Sequence, residues 1–282
     1  MATFHRNRGI LVDIACTTFV GLLVVCINLF TQPTKRGFFC DDESIRYPFL
    51  PQTISTGPLA AFCFTLPAFV FLVVEGFRLF DTSTPRDSWH SVSSSLLKNI
   101  YELYGIFLFG VGLMQITSDV GKYTIGRLRP HFYDACKPYP EDVCGPGKDH
   151  VYVTDYECSG DPDVVAEARL SFPSGHASLA FYSAIYTGVY LHHRLYWRRA
   201  RLSRLLSQFV LLMLAWYTAL SRVMDNMHHA TDVLAGIAIG SIWALFMAIF
   251  AIDMRLGSNN VTKEELRSLR ATPLGTPGPN QV

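Results

Sequence analysis

The chain carries little charge for its length. Only 17% of its 282 residues are Asp, Glu, Lys or Arg, whereas an average soluble domain has roughly 25%. It also lacks an excess of either sign, because 24 basic residues face 23 acidic ones. A nucleic-acid-binding protein that works through bulk positive charge is therefore excluded. Half of the residues are hydrophobic, which excludes a disordered chain, since such a chain lacks apolar side chains to bury.

The hydrophobic residues are concentrated in six stretches. A helix needs about 20 residues to cross the hydrocarbon layer of a membrane, and lipid-exposed backbone must form its own hydrogen bonds. We therefore predict an all-α integral membrane protein, a bundle of six transmembrane helices. Because the pattern recurs six times, core helices of a soluble domain are a weaker alternative. The predicted spans are 10–30, 57–80, 100–119, 177–191, 205–220 and 233–252.

The basic residues between the spans predict the orientation, because short cytoplasmic loops are richer in Lys and Arg. With the N-terminus inside, the inner segments hold 14 basic residues and the outer segments 10. We predict a six-span core at residues 1–255, which includes an outer loop at 120–172. A polar cytosolic tail, residues 256–282, is predicted to be disordered. Asn260 starts the single Asn-X-Ser/Thr sequon of the sequence, and on the cytosolic side it is expected to stay unglycosylated.

The seven cysteines divide into two groups. Cys16, Cys26 and Cys63 lie inside predicted spans, where cysteine behaves as a small hydrophobic residue. The other four lie in outer segments, where an oxidising compartment favours disulfides. Three pairings are open, and the sequence does not choose among them. Zinc is the alternative, but no CxxC pair is present, so we expect no metal site. These four are Cys40, Cys136, Cys144 and Cys158.

Three polar clusters lie at the edges of the predicted spans. The first, residues 122–130, follows the third span, and the second, residues 172–178, precedes the fourth. The third, residues 221–232, connects the fifth span to the sixth. The first and second clusters bound the same loop, and two spans separate the second from the third. All three are therefore expected to lie at one face of the membrane, the outer one.

These clusters are suited to bind an anion. Lys122, Arg129 and Arg222 bring three positive charges to one membrane edge, where isolated charge is costly. The forked donors of arginine match phosphate oxygens. Ser174 and Gly175 stand at a predicted helix start, where unpaired N–H groups and the helix dipole favour an anion. Ser174 is also a suitable N-cap residue.

The same clusters contain acid–base groups. His228 and Asp232 are four residues apart and, on one helix, would lie in contact range. A carboxylate that binds one ring nitrogen leaves the other free to attack. His176, from a different helix, is a candidate general acid. Two histidines, one carboxylate and three cations indicate phosphoryl transfer through a phosphohistidine.

The order and spacing of these residues resemble a known signature. The pattern K-x6-RP at 122–130, PSGH at 173–176 and SR-x5-H-x3-D at 221–232 is similar to that of the type 2 phosphatidic acid phosphatase superfamily. Residues 36–48 also resemble the first outer loop of animal lipid phosphate phosphatases. Segments similar to the other outer loops lie at 126–132 and 168–172.

The resemblance implies a role for each site residue. His228 would be the nucleophile, with Asp232 as its orienting partner. His176 would protonate the leaving alkoxide and then activate water. The family needs no metal or other cofactor, so hydrolysis would be independent of Mg²⁺. The residues implied to hold the phosphate are Lys122, Arg129, Ser174, Gly175 and Arg222.

The resemblance also implies substrates and a location. Family members remove phosphate from phosphatidate, lysophosphatidate, ceramide 1-phosphate and sphingosine 1-phosphate. The expected location is the plasma membrane with an extracellular site, or an internal membrane with a luminal one. A sugar-phosphate phosphatase of the endoplasmic reticulum and a catalytically silent lipid-phosphate receptor or transporter are the alternatives.

Gly236 and Gly240 suit either a dimer contact, which would make a homo-oligomer, or close packing within the bundle.

Overall fold

The structure, a computed structural model, describes residues 2–82, 89–145, 147, 150–194 and 201–271 of the chain. It is mainly helical, with four two-residue strands in the segments 31–55 and 126–174. The helices are α1 (Ala2–Phe30), α2 (Thr56–Thr82), α3 (Trp89–Ile125), α4 (Phe132–Cys136), α5 (Pro162–Glu167), α6 (Gly175–Arg194), α7 (Arg201–Met224) and α8 (Ala230–Ala271). The strands are β1 (Phe38–Phe39), β2 (Pro138–Tyr139), β3 (Tyr152–Val153) and β4 (Glu157–Cys158).

Five helices in the described part of the chain are long and apolar enough to cross a membrane. They contain five of the six predicted spans, so the prediction of a helical, multi-pass membrane protein is confirmed at that level. The predicted span 177–191 lies in α6, which has 20 residues and is not among the five. The five segments are Gly9–Phe30, Thr56–Asp81, Trp89–Ile125, Leu202–Met224 and Ala230–Asp253.

Helix α6 is more polar than the others because it lies inside the bundle, against α2, α3, α7 and α8. Its buried hydroxyl groups bind carbonyl oxygens of neighbouring helices. Tyr182 donates to the Phe107 oxygen at 3.0 Å, and Ser183 donates to the Cys63 oxygen at 3.0 Å. Helices that pack in a membrane use such small and polar residues at their contacts. A helix enclosed by protein therefore does not need a fully apolar surface.

Two glycines of α8 allow it to pack closely against α6. A Cβ atom at Gly236 would collide with the carbonyl oxygen of Ser174, and one at Gly240 with that of Ser178. Of the two uses expected for these glycines, the structure shows close packing within the bundle. The contact brings the start of α8, with the third polar cluster, against the start of α6, with the second.

The loop between α1 and α2 and the segment between α3 and α6 form one small unit held by two disulfides. Cys40 pairs with Cys144, and Cys136 pairs with Cys158, so one of the three open pairings is selected. The first bond joins the loop after α1 to the loop after α4. Strand β1 pairs with β3 and β2 pairs with β4, all antiparallel. The loops are thereby tied together above the helix ends that carry the polar clusters.

The tail differs from the sequence prediction over part of its length. Helix α8 extends through residues 256–271, where disorder was expected. The sequence around residues 263–270 contains Lys, Glu, Leu and Arg, which favour helix. Residues 272–282 lie outside the described part of the chain. The domain boundary at 255 and the state of Asn260 stay predictions.

The loop unit predicts the effect of removing one cysteine. Cys136→Ser, Cys158→Ser and the double variant should all lower the free energy of unfolding by the same amount, roughly 2–5 kcal/mol. The three variants should show equal losses of stability because each of them lacks the same disulfide bond. Thermal unfolding in detergent measures the effect, with Cys26→Ser, a free cysteine on α1, as the control. Additive losses in the double variant would contradict this pairing.

Candidate active site

The three polar clusters meet where α3, α6, α7 and α8 begin or end. Lys122 is in the last turn of α3 and Arg222 in the last turn of α7. His176 is in the first turn of α6 and His228 in the turn before α8. The charges of Lys122 and Arg129 act on His228, and those of Lys122, Arg129 and Arg222 act on His176. The structure therefore brings both histidines and all three cations into one site.

The start of α6 is fixed by Ser174 and Gly175. The Ser174 hydroxyl accepts a hydrogen bond from the Ala177 amide at 3.4 Å, as an N-cap does. The Ser174 amide donates to the Asp232 carbonyl oxygen at 3.0 Å, which joins the starts of α6 and α8. A Cβ atom at Gly175 would lie 3.2 Å from Lys122 Nζ. Glycine at this position therefore lets the ammonium group approach the helix start.

Each of the three cations has a carboxylate beside it. The three carboxylates are Asp119 in α3, Glu167 in α5 and Asp225 in the turn after α7. Because paired charges are less costly to bury than single ones, the carboxylates make this concentration of positive charge tolerable. The pairs are Lys122 Nζ–Asp119 Oδ1 at 3.9 Å, Arg129 Nη2–Glu167 Oε1 at 3.1 Å and Arg222 Nη2–Asp225 Oδ2 at 3.0 Å.

Two nitrogen atoms of the site are buried without a hydrogen-bond partner among the described residues. They are Arg129 Nε and His176 Nε2. A buried polar group without a partner costs roughly 1–3 kcal/mol, and such groups are rare in folded proteins. An oxyanion placed between them would accept from the Arg129 nitrogen, and from His176 when its Nε2 is protonated. The site is therefore prepared for an anion such as phosphate.

The ring of His228 is oriented by a backbone carbonyl. Its Nδ1 lies 2.7 Å from the Ser171 carbonyl oxygen. A carbonyl oxygen only accepts, so Nδ1 carries the proton, and the lone pair of the neutral ring is on Nε2. His228 is 3% exposed, and burial, reinforced by the charges of Arg129 and Lys122, holds its pKa well below the ordinary value. The site thus contains a neutral imidazole with a free nitrogen beside three cations.

The predicted direct contact between Asp232 and His228 is wrong. Helix α8 begins at Ala230, so His228 precedes the helix, and the four-residue spacing does not place the two side chains together. Asp232 Oδ2 accepts from the Ser171 hydroxyl at 2.6 Å and from the His229 amide at 3.1 Å. The latter bond is that of an acidic residue at the third position of a helix to its N-cap. Asp232 therefore reaches His228 through Ser171.

Three residues of the site were missed in the sequence. Arg127 donates to Asp232 Oδ1 and to the Thr231 hydroxyl at 2.7 Å. It lies inside the first cluster, so its charge was a usable signal. Ser171, which contacts both Asp232 and His228, lies in the segment 168–172 that resembles a loop of the family, so that resemblance was a usable signal. Glu167 is in α5, far from any motif, and nothing in the sequence marked it.

The described part of the chain contains no set of side chains suited to bind a metal ion. No group of three or more His, Cys, Asp or Glu side chains there is arranged to hold a metal ion. The site instead consists of three cations, one histidine ring oriented by a backbone carbonyl and one further histidine.

Comparison with known proteins gives consistent matches. The PAP2 superfamily matches residues 103–254. A "Putative phosphatidate phosphatase" of Drosophila melanogaster is 38% identical over 89% of this chain and 72% of its own length. "Phospholipid phosphatase 2" of Rattus norvegicus is 39% identical, with 86% of each chain covered. The Homo sapiens protein of that name is 39% identical over 86% of this chain and 83% of its own. No solved structure shows significant similarity.

The neutral state of His228 predicts acid sensitivity of the fold. Between the lowered pKa of the folded state and the 6.5 of an unperturbed histidine, the unfolded chain binds a proton that the folded one does not. Stability is therefore complete above pH 6.5 and lost below it, by about 1.4 kcal/mol per pH unit for one histidine. Thermal unfolding of His228→Gln between pH 7.5 and 5 should show a smaller loss than the parent. An equal loss would contradict the assignment.

Proposed function

The chain belongs to the PAP2 superfamily, and we propose that it is a metal-independent phosphatase of lipid phosphate monoesters that works through a phosphohistidine. One observation carries the proposal. The ring of His228 is held by the Ser171 carbonyl with Nε2 free, in a pocket where Arg129 Nε and His176 Nε2 lack partners. These are the groups that an in-line attack on a bound phosphate requires.

In the first step, the phosphate occupies the pocket and His228 Nε2 attacks phosphorus. The N–P bond forms as the bond from phosphorus to the lipid oxygen breaks. His176 carries a proton once the bound phosphate dianion offsets the charges of the three cations. It gives that proton to the leaving alkoxide, so the lipid departs as a neutral alcohol. The phosphorylated ring carries positive charge, and its Nδ1–H stays hydrogen-bonded to the Ser171 carbonyl.

In the second step, water attacks the phosphohistidine. His176, now neutral, accepts a proton from the water as the O–P bond forms and the N–P bond breaks. The products are inorganic phosphate and the resting enzyme. Lys122, Arg129 and Arg222 stabilise the charge of both transition states, because cations that are already fixed in place need little reorganisation.

The same geometry supports a proposal for the membrane setting. We infer that α6 is the sixth span, because its 20 residues lie among the five apolar helices. The ends of α3 and α7 and the starts of α6 and α8 then share the outer face. A lipid phosphate can reach this face from the outer leaflet. The substrates proposed are phosphatidate, lysophosphatidate, ceramide 1-phosphate and sphingosine 1-phosphate, at the cell surface or in an internal membrane with a luminal site.

Phosphate release by the purified protein in mixed micelles, measured with and without EDTA, tests the proposal. The four lipids and glucose 6-phosphate are offered to the parent and to His228→Ala. We expect turnover of the lipids and a loss of at least about 10³-fold in kcat for the variant, because it lacks the nucleophile. His192→Ala is the matched control, since His192 is an exposed histidine at the opposite end of α6.

Each other outcome has a clear meaning. Lipid turnover that survives in His228→Ala would overturn the phosphohistidine. Loss of turnover on adding EDTA would overturn metal independence. Preference for glucose 6-phosphate would replace the substrate class with sugar phosphates. A folded parent that turns over nothing would favour a silent receptor or transporter.

A further inference from the structure

Residues 47–54, here called the strap, lead from the outer loops to the start of α2. The strap lies outside residues 103–254, the part matched by the superfamily, and it contains none of the signature residues. Tyr47, Phe49 and Leu50 are exposed, while Gln52 and Ile54 are partly buried. The hydrogen bonds of the strap connect it to the candidate active site.

The first half of the strap is fastened to α4 and to the residue pair before it. The Tyr47 amide donates to the Pro130 carbonyl oxygen at 2.9 Å. The Phe49 amide donates to Asp134 Oδ2 at 2.9 Å. The Phe49 ring lies 4.8 Å from the His131 ring. The strap is thereby tied to the end of the first polar cluster.

The second half of the strap reaches the third polar cluster. The Thr53 amide donates to Asp225 Oδ2 at 2.8 Å, and the Thr53 hydroxyl donates to Asp225 Oδ1 at 2.6 Å. Asp225 Oδ2 also accepts from Arg222 Nη2 at 3.0 Å. Arg222 Nη1 donates to Gln52 Oε1 at 3.3 Å. The backbone of Ile54 lies beside the His176 ring.

We propose that the strap is a fourth part of the phosphate site, in which Gln52 contacts the bound phosphate and Thr53 positions Arg222 through Asp225. The inference rests on the proposed function, since it names a further contact of the same site. Two side chains that carry no charge and belong to no signature would then help to bind the substrate.

The position of Gln52 follows from the contacts of Arg222. This guanidinium is 1% exposed, and its other side-chain bonds go to Ser221 at 3.2 and 3.1 Å and to Asp225 at 3.0 Å. The bond to Gln52 is the longest, at 3.3 Å, and its acceptor is uncharged. A charged phosphate oxygen is a stronger hydrogen-bond acceptor than an amide oxygen. It would therefore replace Gln52 Oε1 as the acceptor for Arg222 Nη1. The Gln52 amide then presents its own N–H donors to the phosphate.

The neutrality of Gln52 is the feature that can be tested most sharply. A carboxylate of the same shape at this position would pair with Arg222 in the empty site and repel a phosphate dianion. Gln52→Glu should therefore keep or raise thermal stability while it weakens phosphate binding. A misfolded variant would lose both, so the two effects together distinguish a phosphate contact from a structural role.

The experiment measures kcat and KM for phosphatidate, inhibition by orthovanadate and thermal unfolding. Orthovanadate is the second probe because it is a phosphate-like oxyanion without a lipid. We expect Gln52→Glu to raise both KM and the inhibition constant of orthovanadate about tenfold or more, the scale of one charge-assisted contact. Thr53→Val should lower kcat/KM about threefold to tenfold, and Thr53→Ser, which keeps the hydroxyl, should restore it.

Leu50→Ala is the matched control, since Leu50 is an exposed strap residue and should behave as the parent. Gln52→Glu with normal orthovanadate inhibition but poor lipid turnover would overturn the proposal, because the strap would then act on lipid entry alone. A lower unfolding temperature of Gln52→Glu, or equal activities of Thr53→Val and Thr53→Ser, would also overturn it. A parent without turnover would refute the proposed function, while thermal protection by orthovanadate would still test the strap.

Discussion

The positive charges of Lys122, Arg129 and Arg222 repel one another, and the rest of the site is arranged around that repulsion. Each charge comes from a different part of the chain, and each is paired with a carboxylate: Asp119 in the same helix for the first, Glu167 in α5 for the second and Asp225 in the turn after α7 for the third. The pairing is incomplete, because Arg129 Nε still has no acceptor among the described residues. A protein that neutralised its cations completely would have little affinity left for an anion.

Burial and two of these charges together keep His228 neutral. Near Arg129 and Lys122, a neutral imidazole is favoured over a protonated one, and the Ser171 carbonyl decides which nitrogen keeps the proton. A backbone acceptor does not titrate, so it holds the ring in this tautomer at any pH at which the protein is folded. Asp232 affects the His228 ring only indirectly. It accepts a hydrogen bond from the Ser171 hydroxyl and neutralises Arg127. The Asp232 carboxylate therefore stabilises the structure of the site, while the His228 ring is hydrogen-bonded to an uncharged group, the Ser171 carbonyl.

Much of this arrangement could be predicted from the sequence, because it depends on spacing along the chain. Helix count and cluster order were sufficient to place His176, His228 and the three cations at one face. The contact of Asp232 could not be predicted, since it depends on whether α8 begins before or after His228. The pairing of Cys40 with Cys144 depends on loop packing that has no periodic signal. Glu167 and the strap were missed for a related reason: glutamate, glutamine and threonine are ordinary loop residues until the fold brings them to a cation.

The way in which α6 and α8 meet makes the site robust. Gly236 and Gly240 allow the two helices to approach until the Ser174 amide bonds the Asp232 carbonyl oxygen. The second and third clusters are therefore joined through the backbone, independently of the cationic side chains of the site. Since α6 is surrounded by other helices, lipid does not compete for this contact. Substituting a side chain of the site leaves the two helix starts in place, whereas a larger residue at either glycine would separate His176 from His228 without touching the chemistry of either one.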